Sequence, residues 1–186
     1  MEHERKQRVD AVRNRAMVLE AAARLFDAAD DPERVSMNDI AAAAGVGKGT
    51  LFRGFGDRLG LILALVEQRN ASLFADFTAQ MAAEAATPAE RALSALDALL
   101  TFKTQNRALM LALENAGNGS PYATVMYDPW HAHLAGIVTE VRGPHDAPFL
   151  AHALLAAVRS DLIEYLRDEP DRIRSGLAAL TRAIVV

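Results

Sequence analysis

Apolar residues recur at intervals of three and four along most of the chain. No alternating run of four to eight residues bounded by turn signals suggests a strand. The pattern predicts an all-α protein. From about Arg13 to Ala29 the spacing of Ala16, Leu19, Ala23 and Phe26 makes one buried helix face. A short second helix is announced at Ser36 by a capping box, in which the hydroxyl accepts from the backbone at Asp39 and the Asp39 carboxylate reaches back. Gly45 is placed to end that helix, because glycine takes a positive φ without a Cβ penalty. Ile40, Val46 and Leu51 are spaced to bury together, and Ala41 is small where two helices must cross closely. Asp57 is positioned to N-cap a long helix from about Arg58 to Glu84, with Leu61, Leu65, Leu73 and Phe77 facing inward.

Farther along, Thr87-Pro88-Ala89-Glu90 forms a second capping box with proline at the first helical position. It starts a helix through Leu93, Leu96, Leu100 and Lys103. A shorter helix is expected over Arg107 to Ala116, and Gly117-Asn118-Gly119-Ser120-Pro121 is a turn cluster. Tyr122 to Val141 reads as helical, with Asp128-Pro129 a point of kinking or splitting. After the break at Gly143-Pro144-His145-Asp146, one Ala/Leu-rich helix is expected from Ala147 to Arg167. A last helix near Pro170 carries Ile173, Leu177, Leu180 and Ile184.

The run from Ser36 to Arg58 therefore reads as helix, glycine turn, helix. Burying Ile40, Val46 and Leu51 leaves Gly47, Lys48, Gly49, Thr50 and Arg53 facing outward on the second helix or its N-terminal edge. That is the arrangement of a DNA-binding helix-turn-helix whose second helix enters the major groove. Lys48 suits a phosphate better than a guanine edge, where Arg is the stronger partner. Thr50 offers a hydroxyl to phosphate or a methyl to thymine. Gly47 and Gly49 permit close approach of backbone N–H groups to the DNA backbone, and equally serve the turn and packing. Phe52 and Phe55 are expected as hydrophobic anchors of this small domain, with Phe52 at the sugar-phosphate edge.

These residues resemble the TetR family of repressors. Leu25-Phe26, Ile40-Ala41, Gly45-Val46-Gly47, Gly49-Thr50-Leu51-Phe52, Phe55 and Arg58 keep the family's spacing over roughly residues 13 to 66. Three positions depart from it: Phe52 stands where Tyr is usual, Gly54 replaces a common His or Tyr, and Arg58 replaces Lys. The first two reduce the grip on phosphate, and the third keeps the charge with a different geometry. The resemblance implies an N-terminal arm and DNA-binding domain over residues 1–58 and a helical effector-binding and dimerisation domain over residues 59–186. It also implies DNA contacts from Arg13, Ser36, Gly47, Lys48, Gly49, Thr50, Phe52, Arg53 and Arg58. The expected function is that of a homodimeric repressor on an inverted-repeat operator, released by a small-molecule effector, with the helix from Arg58 as lever.

The net charge of −4 changes this picture only when divided along the chain. Residues 1–58 hold ten Lys/Arg and ten Asp/Glu, whereas residues 59–186 hold ten against fourteen. Within the first part, Arg5, Lys6, Arg8, Arg13 and Arg15 gather in the arm, and Lys48, Arg53 and Arg58 mark the second helix. The acids Asp27, Asp30, Asp31 and Glu33 cluster between helices. A local basic face acts despite an acidic total, because screening over about 10 Å makes DNA respond to nearby charge. No stretch approaches the roughly 20 apolar residues of a membrane span, and the expected location is cytoplasmic. With no cysteine, disulfides and thiolate chemistry are excluded.

In the second part Phe102, Met110, Glu114, Tyr122, Met126, Tyr127 and Trp130 gather in the middle helices, where the resemblance implies an effector pocket. Aromatic and Met side chains beside a few polar groups suit a small ligand, and equally a core. Glu114 is the best polar anchor, since an unpartnered buried carboxylate is costly. Ala153, Ala157, Leu162, Leu166, Leu177, Leu180 and Ile184 offer more apolar surface than one small core consumes. The resemblance pairs these last helices with a second copy in an isologous interface. His131-Ala132-His133 does not suggest a metal site, because residues two apart on a helix point in different directions. No cofactor is expected and no catalytic motif is present, so an enzyme is not expected. The alternative is a helical small-molecule-binding protein or enzyme on the same fold without DNA recognition, a reading favoured by the missing Tyr hydroxyl and by Gly54.

Overall fold

The computed structural model describes residues 1–29, 31–81, 86–115 and 126–185, with the side chains of 2–7 and of 114–115 left aside. Ten α-helices and one 3-10 turn make up the described elements, with no strand among them. They are α1 (Glu2–Ala28), α2 (Met37–Ala44), α3 (Lys48–Phe55), α4 (Arg58–Met81), α5 (Pro88–Gln105), α6 (Arg107–Asn115), α7 (Tyr127–Arg142), α8 (Ala147–Ala156), α9 (Ser160–Tyr165) and α10 (Pro170–Val185). The chain divides into two compact units, Met1–Gln68 and Arg69–Val186. The boundary falls within α4, ten residues beyond the Arg58 division expected from the sequence.

The first unit corrects two expectations. Residues 2–12, taken as an arm, belong to α1, which is helical from Glu2. The buried face of α1 is shifted: Val18, Leu19, Ala22 and Phe26 are buried, whereas Ala16 is exposed and Ala23 half-buried. Val18, Ala22 and Phe26 are each four apart, so they line one stripe that the helix can bury as a whole. Ile40, Ala41 and Leu51 complete the core from α2 and α3, all at most 3% exposed.

Local chemistry ends and starts these helices as the residue types dictate. Ser36 Oγ accepts from the Asp39 N–H at 3.2 Å, and the Asp39 carboxylate accepts from the Ser36 N–H at 3.1 Å. Gly45 adopts φ 65°, and the N–H groups of Gly45 and Val46 donate to the carbonyls of Ala42 and Ala41, which closes α2 in a Schellman motif. Asp57 Oδ1 accepts from the Gly60 N–H at 2.8 Å and caps α4. A Cβ at Gly60 would lie 2.1 Å from the Phe55 carbonyl oxygen, so only glycine lets α4 begin this close to the end of α3.

In the second unit one core joins the C-terminal half of α4 with α5, α7, α8 and α10. Phe77, Leu96, Trp130, Leu134, Leu154 and Leu177 are among its buried members. Thr87 and Glu90 form the second capping box at the start of α5. The single helix expected from Ala147 to Arg167 is two helices. Residues 157 to 159 leave the α pattern through i to i−3 bonds such as Ala157 N–H to Leu154 O at 3.2 Å, and Arg159 is extended at φ −66°, ψ 143°. No glycine or proline marks this break in the sequence. Asp161 receives the Arg159 guanidinium and its own helix's Leu162 N–H, which secures the restart. α7 begins at Tyr127, with Pro129 in the first turn, where its missing N–H costs no helical bond. The expected turn cluster at Gly117–Pro121 and Tyr122 lie outside the described residues.

Candidate nucleic-acid interface

Leu51 anchors α3 with no exposure at all, and the rest of the helix turns outward. Lys48, Gly49, Thr50, Phe52, Arg53 and Gly54 are all exposed. Gly47 is the N-cap and supplies no side-chain cap, so the first-turn amides of α3 stand at an exposed, basic helix start. An anion meets backbone donors, the positive end of the helix dipole and the Lys48 ammonium there. Cβ atoms at Gly47 and Gly49 would meet nothing within 4 Å, so packing inside the chain does not require glycine at either position.

Several expected site residues occupy different roles. Phe52 is 47% exposed and so is not the buried anchor expected of it. Its ring forms part of the exposed face of α3. Phe55 is half-buried, with the Arg15 guanidinium 4.7 Å above its ring centre. Arg15 also donates to the Gly54 carbonyl at 3.4 Å, so α1 holds the C-terminal end of α3. The Ser36 hydroxyl is engaged in the capping box, donating to Asp39 Oδ2 at 2.6 Å. That bond and the Ser36 N–H hold the Asp39 carboxyl below its ordinary range. Arg58, expected to face DNA, is turned inward. Its Nη2 and Nε donate to the carbonyls of Pro32 at 2.7 Å and Val35 at 3.3 Å, and its guanidinium lies 5.5 Å from the Phe26 ring centre. Arg13 is exposed on α1. Nothing in the local pattern flagged Arg15 or Arg58 as braces, because their acceptors lie 39 and at least 23 residues away.

In the second unit the expected ligand set disperses. Trp130 is 1% exposed and belongs to the core. Its Nε1 donates to buried Asn70 Oδ1 at 3.0 Å, and its ring meets Phe74 edge-on at 5.0 Å. Asn70 in turn donates to the Met126 carbonyl at 3.3 Å. Tyr127 is half-buried, its hydroxyl 2.5 Å from His152 Nδ1. His131 stacks on His152 with ring centres 4.0 Å apart, and burial followed by the His131 charge lowers the His152 pKa. His133 points elsewhere, toward Phe77 at 5.3 Å. Phe102 and Met110 are buried, whereas the Glu114 side chain and Tyr122 lie outside the described residues. Of the expected dimer set, Leu177 and Ile184 are consumed by this unit's own core. Leu162 is exposed, and Ala153, Ala157, Leu166 and Leu180 are half-buried.

Fold and site together define an all-α protein whose first unit carries a helix-turn-helix. Residues 18–65 match the family described as bacterial regulatory proteins, tetR family. That match falls on α1 to α4, the helix-turn-helix part of the first unit. It is 39% identical over 111 residues to an HTH-type transcriptional regulator of Staphylococcus aureus strain USA300, a match spanning 60% of this chain and 58% of that protein. An HTH-type regulator of strain N315 matches to the same degree. The chain thus spans less than two thirds of the length of these curated relatives.

Among solved structures the fold is similar to RolR bound to resorcinol, at TM-score 0.71 and 19% identity, covering 100% of this chain and 91% of that one. It is also similar to the Thermus thermophilus TetR-family repressor FadR bound to lauroyl-CoA, at TM-score 0.68 and 18% identity, covering 92% of both chains. None of the described helices is long and apolar enough to cross a membrane.

Proposed function

We propose that this chain is a cytoplasmic, dimeric, sequence-specific DNA-binding regulator of transcription, and that it acts as a repressor released from its operator by a small-molecule effector. The observation that carries the reading is α3: one buried leucine, an uncapped N-terminus beside Lys48, and an exposed face of Gly49, Thr50, Phe52 and Arg53. Inserted in a major groove, this face meets phosphates with Lys48, Thr50 and first-turn amides, and meets base edges with Arg53. Phe52 would lie against the sugar-phosphate edge. Arg15 and Arg58 act as braces that hold α3 and α4 in place. The regulators of Staphylococcus aureus support the same assignment.

Two copies would address two half-sites of an inverted repeat. Leu162, Ala153, Ala157, Leu166 and Leu180 supply apolar surface for the pairing, and Phe149 and Tyr165, 75% and 84% exposed, extend it. The resorcinol and lauroyl-CoA complexes of RolR and FadR support an effector held by the second unit. An effector that prefers the conformation unsuited to the operator shifts the population off DNA, with α4 as the continuous link between units. The test is an anisotropy titration of the chain against intergenic DNA upstream of its own gene. Saturable binding to a segment containing an inverted repeat, at least a hundredfold tighter than to scrambled DNA, is expected. Equal affinity for both would reject the proposal and favour a helical binding protein without DNA recognition.

A further inference from the structure

Phe52 is 47% exposed on α3, although Leu51 beside it is wholly buried and Phe55 is half-buried. Folding of the first unit therefore leaves much of one phenyl ring in water, on the outward part of α3 with Lys48, Thr50 and Arg53. Residues three and four apart are neighbours on a helix surface, so Phe52 shares a stripe with Lys48 and Gly49. Thr50, two positions away, points in a different direction. Gly49 leaves the backbone bare on the N-terminal side of the ring, and a Cβ there would meet nothing of the chain within 4 Å. The helix surface beside the ring is thus low, and a groove wall can come close to it. With Lys48 on a phosphate, Phe52 lies one turn along against the same edge of the groove.

A phenyl ring carries no donor or acceptor, so it offers a phosphate or a polar base edge no hydrogen bond. In the major groove the purine N7 and O6, the amino groups and the thymine O4 are all polar, and the thymine C5 methyl is the apolar group of that set. We propose that Phe52 reads a thymine in each operator half-site by packing its ring on the C5 methyl. The contact removes apolar surface of both partners from water. The same ring against an amino group or carbonyl oxygen covers a polar group without replacing its hydrogen bond to water, which is costly. Phe52 therefore favours thymine over the other bases at that position. This role rests on the DNA-binding reading of α3 and adds a base preference to it.

Deoxyuridine in place of thymidine deletes the C5 methyl and keeps the base pair and O4, so it isolates the contact. Anisotropy titration of the full chain against the operator segment upstream of its gene, with deoxyuridine placed at one symmetry-related pair of thymines at a time, is the test. At one such pair binding should weaken about fourfold for each methyl lost, the scale of one buried CH2 group. Phe52→Ala should bind the thymine operator more weakly than the parent and bind the thymine and deoxyuridine operators equally. Low salt keeps that variant measurable, because the electrostatic part of the affinity is then strong. Phe52→Leu, still apolar, should keep part of the deoxyuridine penalty. Lys48→Ala and Thr50→Ser should leave the penalty in place, the second having lost its own methyl. Indifference to deoxyuridine at every thymine overturns the role and leaves the ring on sugar alone. A penalty that survives in Phe52→Ala also overturns it and moves the methyl contact to another residue. In both cases operator binding by the parent chain upholds the DNA-reading assignment of α3, whereas no preference for the operator over scrambled DNA overturns both.

Discussion

Arg58 Nη2 donates to the Pro32 carbonyl oxygen at 2.7 Å, which ties the first turn of α4 to the 3-10 turn that precedes α2. The same guanidinium serves the Val35 carbonyl and the face of Phe26, so one side chain fastens three separate stretches of the first unit. A lysine ammonium is a compact point donor and cannot span the two carbonyls while covering the ring. Arg58→Lys should therefore destabilise the first unit by about 1–2 kcal/mol, the scale of a hydrogen bond to a charged group. Urea unfolding followed by circular dichroism measures it, and an unchanged midpoint would remove Arg58 as a brace.

Gly60 is the glycine that close approach demands. With a Cβ placed 2.1 Å from the Phe55 carbonyl oxygen, the backbone itself must move, and no side chain can yield instead. Gly60→Ala should cost about 2–3 kcal/mol, as for other overpacked sites. Gly49→Ala is expected to behave in the opposite way: the helix gains propensity, about 1 kcal/mol, while DNA affinity falls if the backbone approaches phosphate closely there. Thermal unfolding alongside DNA titration of both variants separates the two roles.

The capping boxes link stability to acid. Hydrogen bonds from Ser36 lower the Asp39 pKa and those from Thr87 lower the Glu90 pKa. A carboxyl with a depressed pKa in the fold stabilises above its unfolded value, here 3.8 and 4.5, and that contribution is lost as pH falls through the folded pKa. Ser36→Ala should lower stability near neutral pH by about 1 kcal/mol, the usual cost of a lost N-cap. The gap between variant and parent should narrow on acidification below pH 3.8, leaving the part due to the Asp39 N–H bond to the Ser36 hydroxyl. A gap independent of pH would separate the cap from the Asp39 charge.

His133 gives a second pH dependence, centred higher. Its Nε2 is buried without a hydrogen-bond partner among the described residues, between Phe74, Phe77 and the charge of Arg91. Burial first, and Arg91 second, lower its pKa from 6.5. The fold thus favours the neutral ring, and the unfolded chain binds the proton more readily. Stability should fall as pH drops below 6.5 toward the folded pKa. His133→Phe keeps the ring packing and should flatten this part of the profile. A profile unchanged by the substitution would place its origin elsewhere.

Features set by neighbouring residues were legible before the fold was known. Ser36 with Asp39, Thr87 with Glu90, Gly45 and Asp57 all act within a few residues, and the structure holds each as its chemistry requires. Leu51 was recognisable as the inward residue of α3, and its neighbours Lys48, Thr50 and Arg53 as outward. What sequence spacing missed depends on partners far along the chain. Ala16 and Val18 both suit an apolar stripe on α1, and only tertiary packing selects Val18. The break after Ala156 lies in a segment of good helix formers. Arg107 meets Glu164 across 57 residues, so no local pattern could reveal that pair.

The most direct test of the central claim is the salt dependence of DNA binding by the parent chain and by Lys48→Ala, titrated against the upstream intergenic segment. Each phosphate neutralised contributes about −0.9 to the slope of log affinity against log salt concentration. The account predicts a steep slope for the parent. Lys48→Ala should bind more weakly across sequences, with a slope shallower by about one contact. A flat salt response in the parent, or identical slope and affinity in Lys48→Ala, would contradict the assignment of α3 as the DNA-reading helix.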